Sequence, residues 1–130
     1  MTVTHPLAML SPEEVERAGA IVRADPRFPA GAKFVHVVVR EPDKADLVAG
    51  TAGRGVEVQL VDGPGLGVIE VVVSLTDGAV TRWDVVEGVR PTLLFGEAMH
   101  AIFTTKEHPE YIAALARRGI TDVDNVQIDP

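Results

Sequence analysis

Apolar residues recur along this chain with two periods, and the change of period organises it. Val15, Ala18, Gly19 and Val22 sit at helical spacing and form one apolar stripe. Ser11-Pro12-Glu13-Glu14 supplies the start of that helix. Ser11 can cap it, Pro12 suits its first turn, Glu14 completes a capping box, and both carboxylates face the positive end of the helix dipole. Leu10 and Val15 hold the positions of a hydrophobic staple. Asp25-Pro26 ends the helix, because a residue before proline avoids the α region.

From Lys33 the period falls to two, and strands are predicted over 33–40, 56–61, 68–75 and 80–85. In the first, Val35, Val37 and Val39 alternate with Phe34, His36 and Val38, so both faces are rather apolar. Glu41-Pro42-Asp43-Lys44 opens a polar, Gly/Ala-rich loop that runs through Gly55, and Gly63-Pro64-Gly65-Leu66-Gly67 reads as a turn. Asp77-Gly78 is the best hairpin signal, since a type I′ turn needs positive φ at both central residues. A two-residue loop there pairs Leu75 with Val80 and Val73 with Arg82, which turns Trp83 to the face of Val72 and away from the helix. A bulge, a longer loop, or packing of Trp83 on the second face would each resolve that conflict.

After Gly88-Val89-Arg90-Pro91, a linker by composition, the helical period returns. Thr92 can cap a helix over 92–106 carrying Phe95, Met99, Ile102 and Phe103. His108-Pro109-Glu110 starts another over 109–118, with Tyr111, Ala114 and Leu115 inward, Arg117 and Arg118 in its last turn and Gly119 beyond it. Gln127-Ile128-Asp129-Pro130 then resembles the opening of a further strand. The order describes one small α+β unit over 1–86 and the helical beginning of a second over 87–130, so the chain is expected to be a piece of something larger.

Composition narrows the function. A hydrophobic fraction of 46% suits a folded core, which valine and leucine must build because aromatics are only 5%. The formal net charge of −7 repels phosphate backbones, so a nucleic-acid partner is not expected, and there is no Lys/Arg cluster for an anionic membrane surface. No apolar run approaches the roughly 20 residues of a spanning helix. The N-terminus shows no signal peptide, and the absence of cysteine excludes disulfides and thiolate chemistry while permitting a cytosolic setting.

Candidate chemistry is sparse. His5, His36, His100 and His108 show neither H-x-H nor H-x-x-x-H spacing, and a metal site needs three or four converging ligands. The Gly63-to-Gly67 stretch lacks the Gly-Lys-Ser/Thr and the helix of a phosphate loop. Glu13 and Glu14 are explained by capping, and Glu41 and Asp43 by a polar loop. Ser11 is a cap and Ser74 lies in a strand, so neither reads as an activated nucleophile. Trp83 and Tyr111 could serve a binding surface but sit in periodic apolar patterns that suit packing. The second face of the sheet, with Val38, Val58 or Val61, and Val72, is the better interaction clue.

Several stretches, taken together and in order, resemble a known family. They are His5-Pro6-Leu7, Leu10 to Glu14, Ile21 to Ala24, Phe34, Arg40 to Lys44, Val80 to Trp83, Gly88 to Pro91, Leu115 to Ile120 and Val126 to Pro130. The chain resembles the small N-terminal domains, N2 and N3, of copper-containing primary amine oxidases. The resemblance implies a cystatin-like α+β fold, one helix on a four-stranded antiparallel sheet, occurring twice. It implies a catalytic domain of the same polypeptide as partner and a homodimeric parent that uses copper and topaquinone. The family's cofactor tyrosine lies in an Asn-Tyr-Asp/Glu motif, and two of its three copper histidines form H-x-H. Neither motif occurs here, and Tyr111 follows Pro109-Glu110, so no catalytic, cofactor-binding or metal-ligating residue is carried onto this chain.

The expectation is a non-catalytic structural domain of such an oxidase. One alternative is a free-standing binding module that uses its open sheet face. Another is a small cone-shaped α+β enzyme whose pocket between helix and sheet would hold His36 and Glu57.

Overall fold

A computed structural model describes residues 5–62 and 67–129, and among them are four strands and four helices. The elements are α1 (Pro12–Ala24), β1 (Lys33–Arg40), α2 (Lys44–Ala49), β2 (Gly55–Val61), β3 (Gly67–Ser74), β4 (Ala79–Glu87), α3 (Phe95–Glu107) and α4 (Pro109–Ala116). Most of the turn predicted at Gly63 to Gly67 lies outside the described residues. Contacts divide the chain into two compact units, Met1–Pro91 and Thr92–Pro130.

In the first unit the strands form one antiparallel sheet in the order β1-β2-β3-β4, a meander with α1 packed over β3 and β4. This is the α+β fold expected, a helix on a four-stranded antiparallel sheet. The capping box at Ser11 is complete: its hydroxyl accepts from the Glu14 N–H at 3.3 Å, and its own N–H donates to Glu14 Oε2 at 2.9 Å. Ala18, Gly19 and Val22 are buried, whereas Val15 stays partly in solvent and Leu10 packs on the core from outside. Val56, Val58 and Leu60 of β2 and Ile69, Val71 and Val73 of β3 meet that stripe, with Leu75 beyond the end of β3. The core is therefore aliphatic, as the low aromatic content requires.

Two bulges decide which way the aromatic residues point. Phe34 pairs with Leu60 and His36 with Gln59, so Val35 is an extra residue. Phe34 thereby joins Val37 and Val39 on the helix-facing side, and the strict alternation expected for β1 is broken. In β4, Val80 pairs with Val73 and Arg82 with Val72, so Thr81 is the extra residue, and its hydroxyl donates to the Val72 carbonyl at 3.2 Å. The hairpin is not the two-residue loop expected. Ser74 pairs with Ala79, Gly78 has φ 67°, and no described non-glycine residue has positive φ, which rules out a type I′ turn at Asp77-Gly78. Ser74 closes the longer loop by accepting from the Asp77 N–H at 3.1 Å and donating to its carboxylate at 2.7 Å. Loop and bulge together place Trp83 opposite Val71, on the core side.

The segment expected to be loop from Glu41 to Gly55 contains α2, ended by Gly50 at φ 69°. Its six residues carry no apolar stripe and Asp43 makes no side-chain cap bond, so the periodic signal is weak.

In the second unit α3 begins at Phe95 rather than near Thr92. Leu94 holds the cap position, and Glu97 accepts from the Leu94 N–H at 3.3 Å, supplying half a capping box without a polar cap. Arg118 donates to the Ala114 carbonyl at 3.0 Å, and Gly119 at φ 77° ends the α4 turn in the left-handed region.

Candidate functional site

The densest polar constellation of the first unit is centred on Arg54, a residue that the sequence reading left within a loop. Its backbone is fixed at the end of the sheet. The Arg54 N–H donates to Thr76 Oγ1 at 3.1 Å, and its carbonyl accepts from the Leu75 N–H at 2.9 Å. From there the guanidinium reaches the start of α1. Nε donates to Glu14 Oε1 and Nη2 to Glu14 Oε2, each at 2.9 Å, a bidentate pair. Nη2 also donates to the Met9 carbonyl at 3.0 Å. Nη1 serves the carbonyls of Pro6 at 2.8 Å, Ala8 at 2.6 Å and His5 at 3.3 Å. Every guanidinium N–H thus has a protein acceptor. The pair holds the Glu14 carboxyl down at about 2 and raises Arg54 above its ordinary value, the hydrogen bonds between them being the main cause in both. Chemically this is a latch with no reactive group free. It joins residues 5–9, the first turn of α1 and the entry to β2.

A second group closes the other end of α1. Arg27 Nε and Nη2 each donate at 2.8 Å to the two oxygens of Asp25, which lowers the Asp25 carboxyl to about 2. The Arg27 guanidinium lies 4.9 Å over the Trp83 ring, and that of Arg23 lies 4.6 Å over Phe34, which meets Phe28 at 6.1 Å. Trp83 has a packing role, and it also lines a hollow of about 540 Å³ with Ile69, Val85, Asp62 and Glu87.

His36 and Glu57 do not face the helix, contrary to what the small-enzyme alternative requires. The bulge at Val35 places His36 opposite Gln59, and Glu57 lies opposite Val72, all on the face turned away from α1. There the two line a shallow hollow of about 240 Å³ with Gln59, Glu70 and Arg82. Arg82 pairs with Glu70 at 3.4 Å and Asp84 at 2.9 Å. This second face is partly apolar, as expected, for Val61, Val68 and Val72 are buried on it. Val58, the alternative to Val61 in that expectation, is a core residue on the helix side.

The remaining candidates are dispersed. Nδ1 of His5 accepts from the Leu7 N–H at 3.2 Å. His100 lies on α3, His108 at the α3–α4 junction and Tyr111 on α4. Among the described residues no group of three or more His, Cys, Asp or Glu is placed to hold a metal ion. The described donors do not fit copper, and Tyr111 has no such group beside it.

A helix latched onto a four-stranded antiparallel meander defines a small α+β domain. Comparison with known proteins gives its family. A family profile, the AGAO-like N2 domain, matches residues 11–83. The chain is 38% identical over 130 residues to a primary amine oxidase and to a copper methylamine oxidase of Arthrobacter sp. (strain P1), covering 98% of this chain and 20% of those proteins. It is 32% identical to a primary amine oxidase of Klebsiella aerogenes, covering 97% of this chain and 17% of that protein. The crystal structure of a copper-containing benzylamine oxidase from Hansenula polymorpha shares the fold, with a TM-score of 0.72 at 18% identity over 87% of this chain and 19% of that one. The chain belongs to the AGAO-like N2 family, the N-terminal domains of copper amine oxidases, and it spans about one fifth of the length of the relatives it matches.

Proposed function

We propose that this chain is a non-catalytic, architectural part of a copper and topaquinone primary amine oxidase. Residues 1–86 are read as an N2-like domain and 87–130 as part of an N3-like one. The parent would oxidise primary amines to aldehydes, releasing ammonia and hydrogen peroxide. Its catalytic domain, on the same polypeptide, would be this chain's partner within a homodimer. The observation that carries the reading is the match along 98% of the chain to only 20% of an amine oxidase. The Arg54 latch supports it, because the guanidinium spends all its donors on holding the domain together.

The test is to purify the 130-residue chain, add copper(II), and measure bound metal and hydrogen peroxide release with methylamine and benzylamine. No turnover and no stoichiometric copper are expected, with activity appearing in the polypeptide expressed from the uninterrupted native reading frame. Turnover or one tightly held copper in the chain alone would overturn the proposal.

A further inference from the structure

We propose that Asp77-Gly78 is a latent isoaspartate site, where the main chain can be rerouted through the aspartyl side chain, and that Ser74 holds the reaction off. The chemistry needs no partner and no cofactor. The Gly78 nitrogen attacks Asp77 Cγ and closes a succinimide ring. The nitrogen loses its proton and the carboxyl loses an oxygen, so water leaves. Water then adds back. Opening at Cγ restores aspartate. Opening at the Asp77 main-chain carbonyl carbon leaves Gly78 joined to Cγ and turns the former carbonyl into a free carboxylate. The final mass is unchanged, and the backbone is longer by a methylene. Glycine obstructs this closure least, because no β-carbon shields its nitrogen.

The loop fastens both reacting groups to the same residue. The Gly78 N–H donates to the Ser74 carbonyl at 2.9 Å. The Ser74 hydroxyl donates to Asp77 Oδ2 at 2.7 Å and accepts from the Asp77 N–H at 3.1 Å. For the ring to close, the Gly78 nitrogen must give up the proton that makes the first of these bonds. Cγ must also swing toward that nitrogen against the second, while the third fixes the Asp77 backbone itself. Register puts Ser74 where it can do this. It pairs with Ala79 across the hairpin and with Gly55 on its other side, so it is held from both directions. Every restraint on the reacting groups lies within residues 74–79. The guard therefore belongs to the loop and asks for no open surface. A longer polypeptide that covered the loop would restrain it further without replacing Ser74.

The 130-residue chain would be aged at neutral pH and physiological temperature, both folded and in guanidinium chloride, with Ser74→Ala and Ser74→Thr beside it. Trypsin releases residues 55–82 as one fragment, which also contains Asp62-Gly63, so electron-transfer fragmentation is used to locate the extra methylene. Isoaspartate at position 77 is expected to accumulate at least about 10-fold more slowly in the folded chain than in the unfolded one. Ser74→Ala removes both hydroxyl bonds and should raise the folded rate about 5- to 30-fold. Ser74→Thr keeps the hydroxyl and should stay near the unsubstituted rate. Circular dichroism verifies that the variants fold. Should Ser74→Ala not fold, the ratio of unfolded to folded rates in the unsubstituted chain decides the matter. Equal folded and unfolded rates, an unchanged rate in folded Ser74→Ala, a threonine variant as fast as the alanine one, or no isoaspartate at 77 in the unfolded chain would overturn the proposal.

Discussion

Replacing Arg54 by alanine should destabilise the first unit far more than an ordinary surface change. The Arg54 side chain is 10% exposed and that of Glu14 is 22% exposed, so the pair is largely withdrawn from water. Breaking a fully buried pair by removing one partner costs about 3–5 kcal/mol. The residual access of Glu14 to solvent reduces that, while the Pro6, Ala8 and Met9 carbonyls each lose a donor. A second route gives a similar size. A carboxyl held at about 2 instead of 4.5 corresponds to a ceiling of roughly 3 kcal/mol, and screening at the exposed edge of Glu14 lowers it toward ~2 kcal/mol. The expected loss is about 2–3 kcal/mol, a large share of the 5–15 kcal/mol typical of a domain. Arg54→Lys keeps the charge and loses the fork, so it should fall between.

The assay is urea unfolding followed by Trp83 emission, repeated across acid pH. Because the folded Glu14 carboxyl lies below its ordinary value, its stabilisation is complete above about 4.5 and disappears as pH falls through about 2. Arg54→Ala should remove most of that dependence along with the stability. Equal stability of the two proteins within about 0.5 kcal/mol, or the same slope between those pH values, would refute the account of the latch.

Three smaller expectations follow from the packing. Ser11→Ala should cost about 1 kcal/mol in the same unfolding assay, because the Glu14 N–H loses its cap while the Arg54 pair survives. Leu60→Ala should cost roughly 2–5 kcal/mol, since Leu60 is fully buried between α1 and the sheet. Deleting Thr81 removes the extra residue of β4 and leaves Trp83 opposite Val71, so the Trp83 emission maximum should stay where it is. A shift on that deletion would mean that Trp83 lies on the other face in the unaltered chain.

What could be read from the residues depended on how local the cause was. The helix start at Ser11 to Glu14 and the strand over 33–40 are written in adjacent residues, and both form as expected. The short helix from Lys44 is announced only by Gly50 at its end, because six residues are too few to show a periodic stripe. Trp83 presented a visible conflict between hairpin and period, but the choice between bulge and longer loop belongs to the pairing of β3 with β4, and both occur. Val35 gave no such warning, since any residue of a valine-rich strand can be the unpaired one. Arg54 was unreadable for a plainer reason: its side-chain partners lie 40 to 49 positions away, in a segment with no charge pattern that points to it.

That separation also imposes an order of events during synthesis. The Ser11 cap and the Asp25–Arg27 pair need only neighbouring residues, so they can close as soon as α1 has been made. The segment from His5 to Met9 must wait until Arg54 has been added and β2 has joined β3, because the Arg54 backbone is held by Leu75 and Thr76. The segment from His5 to Met9 is thus among the last parts of this unit to be secured. A protease or chaperone acting on the nascent chain would meet that segment unsecured until the third strand is in place.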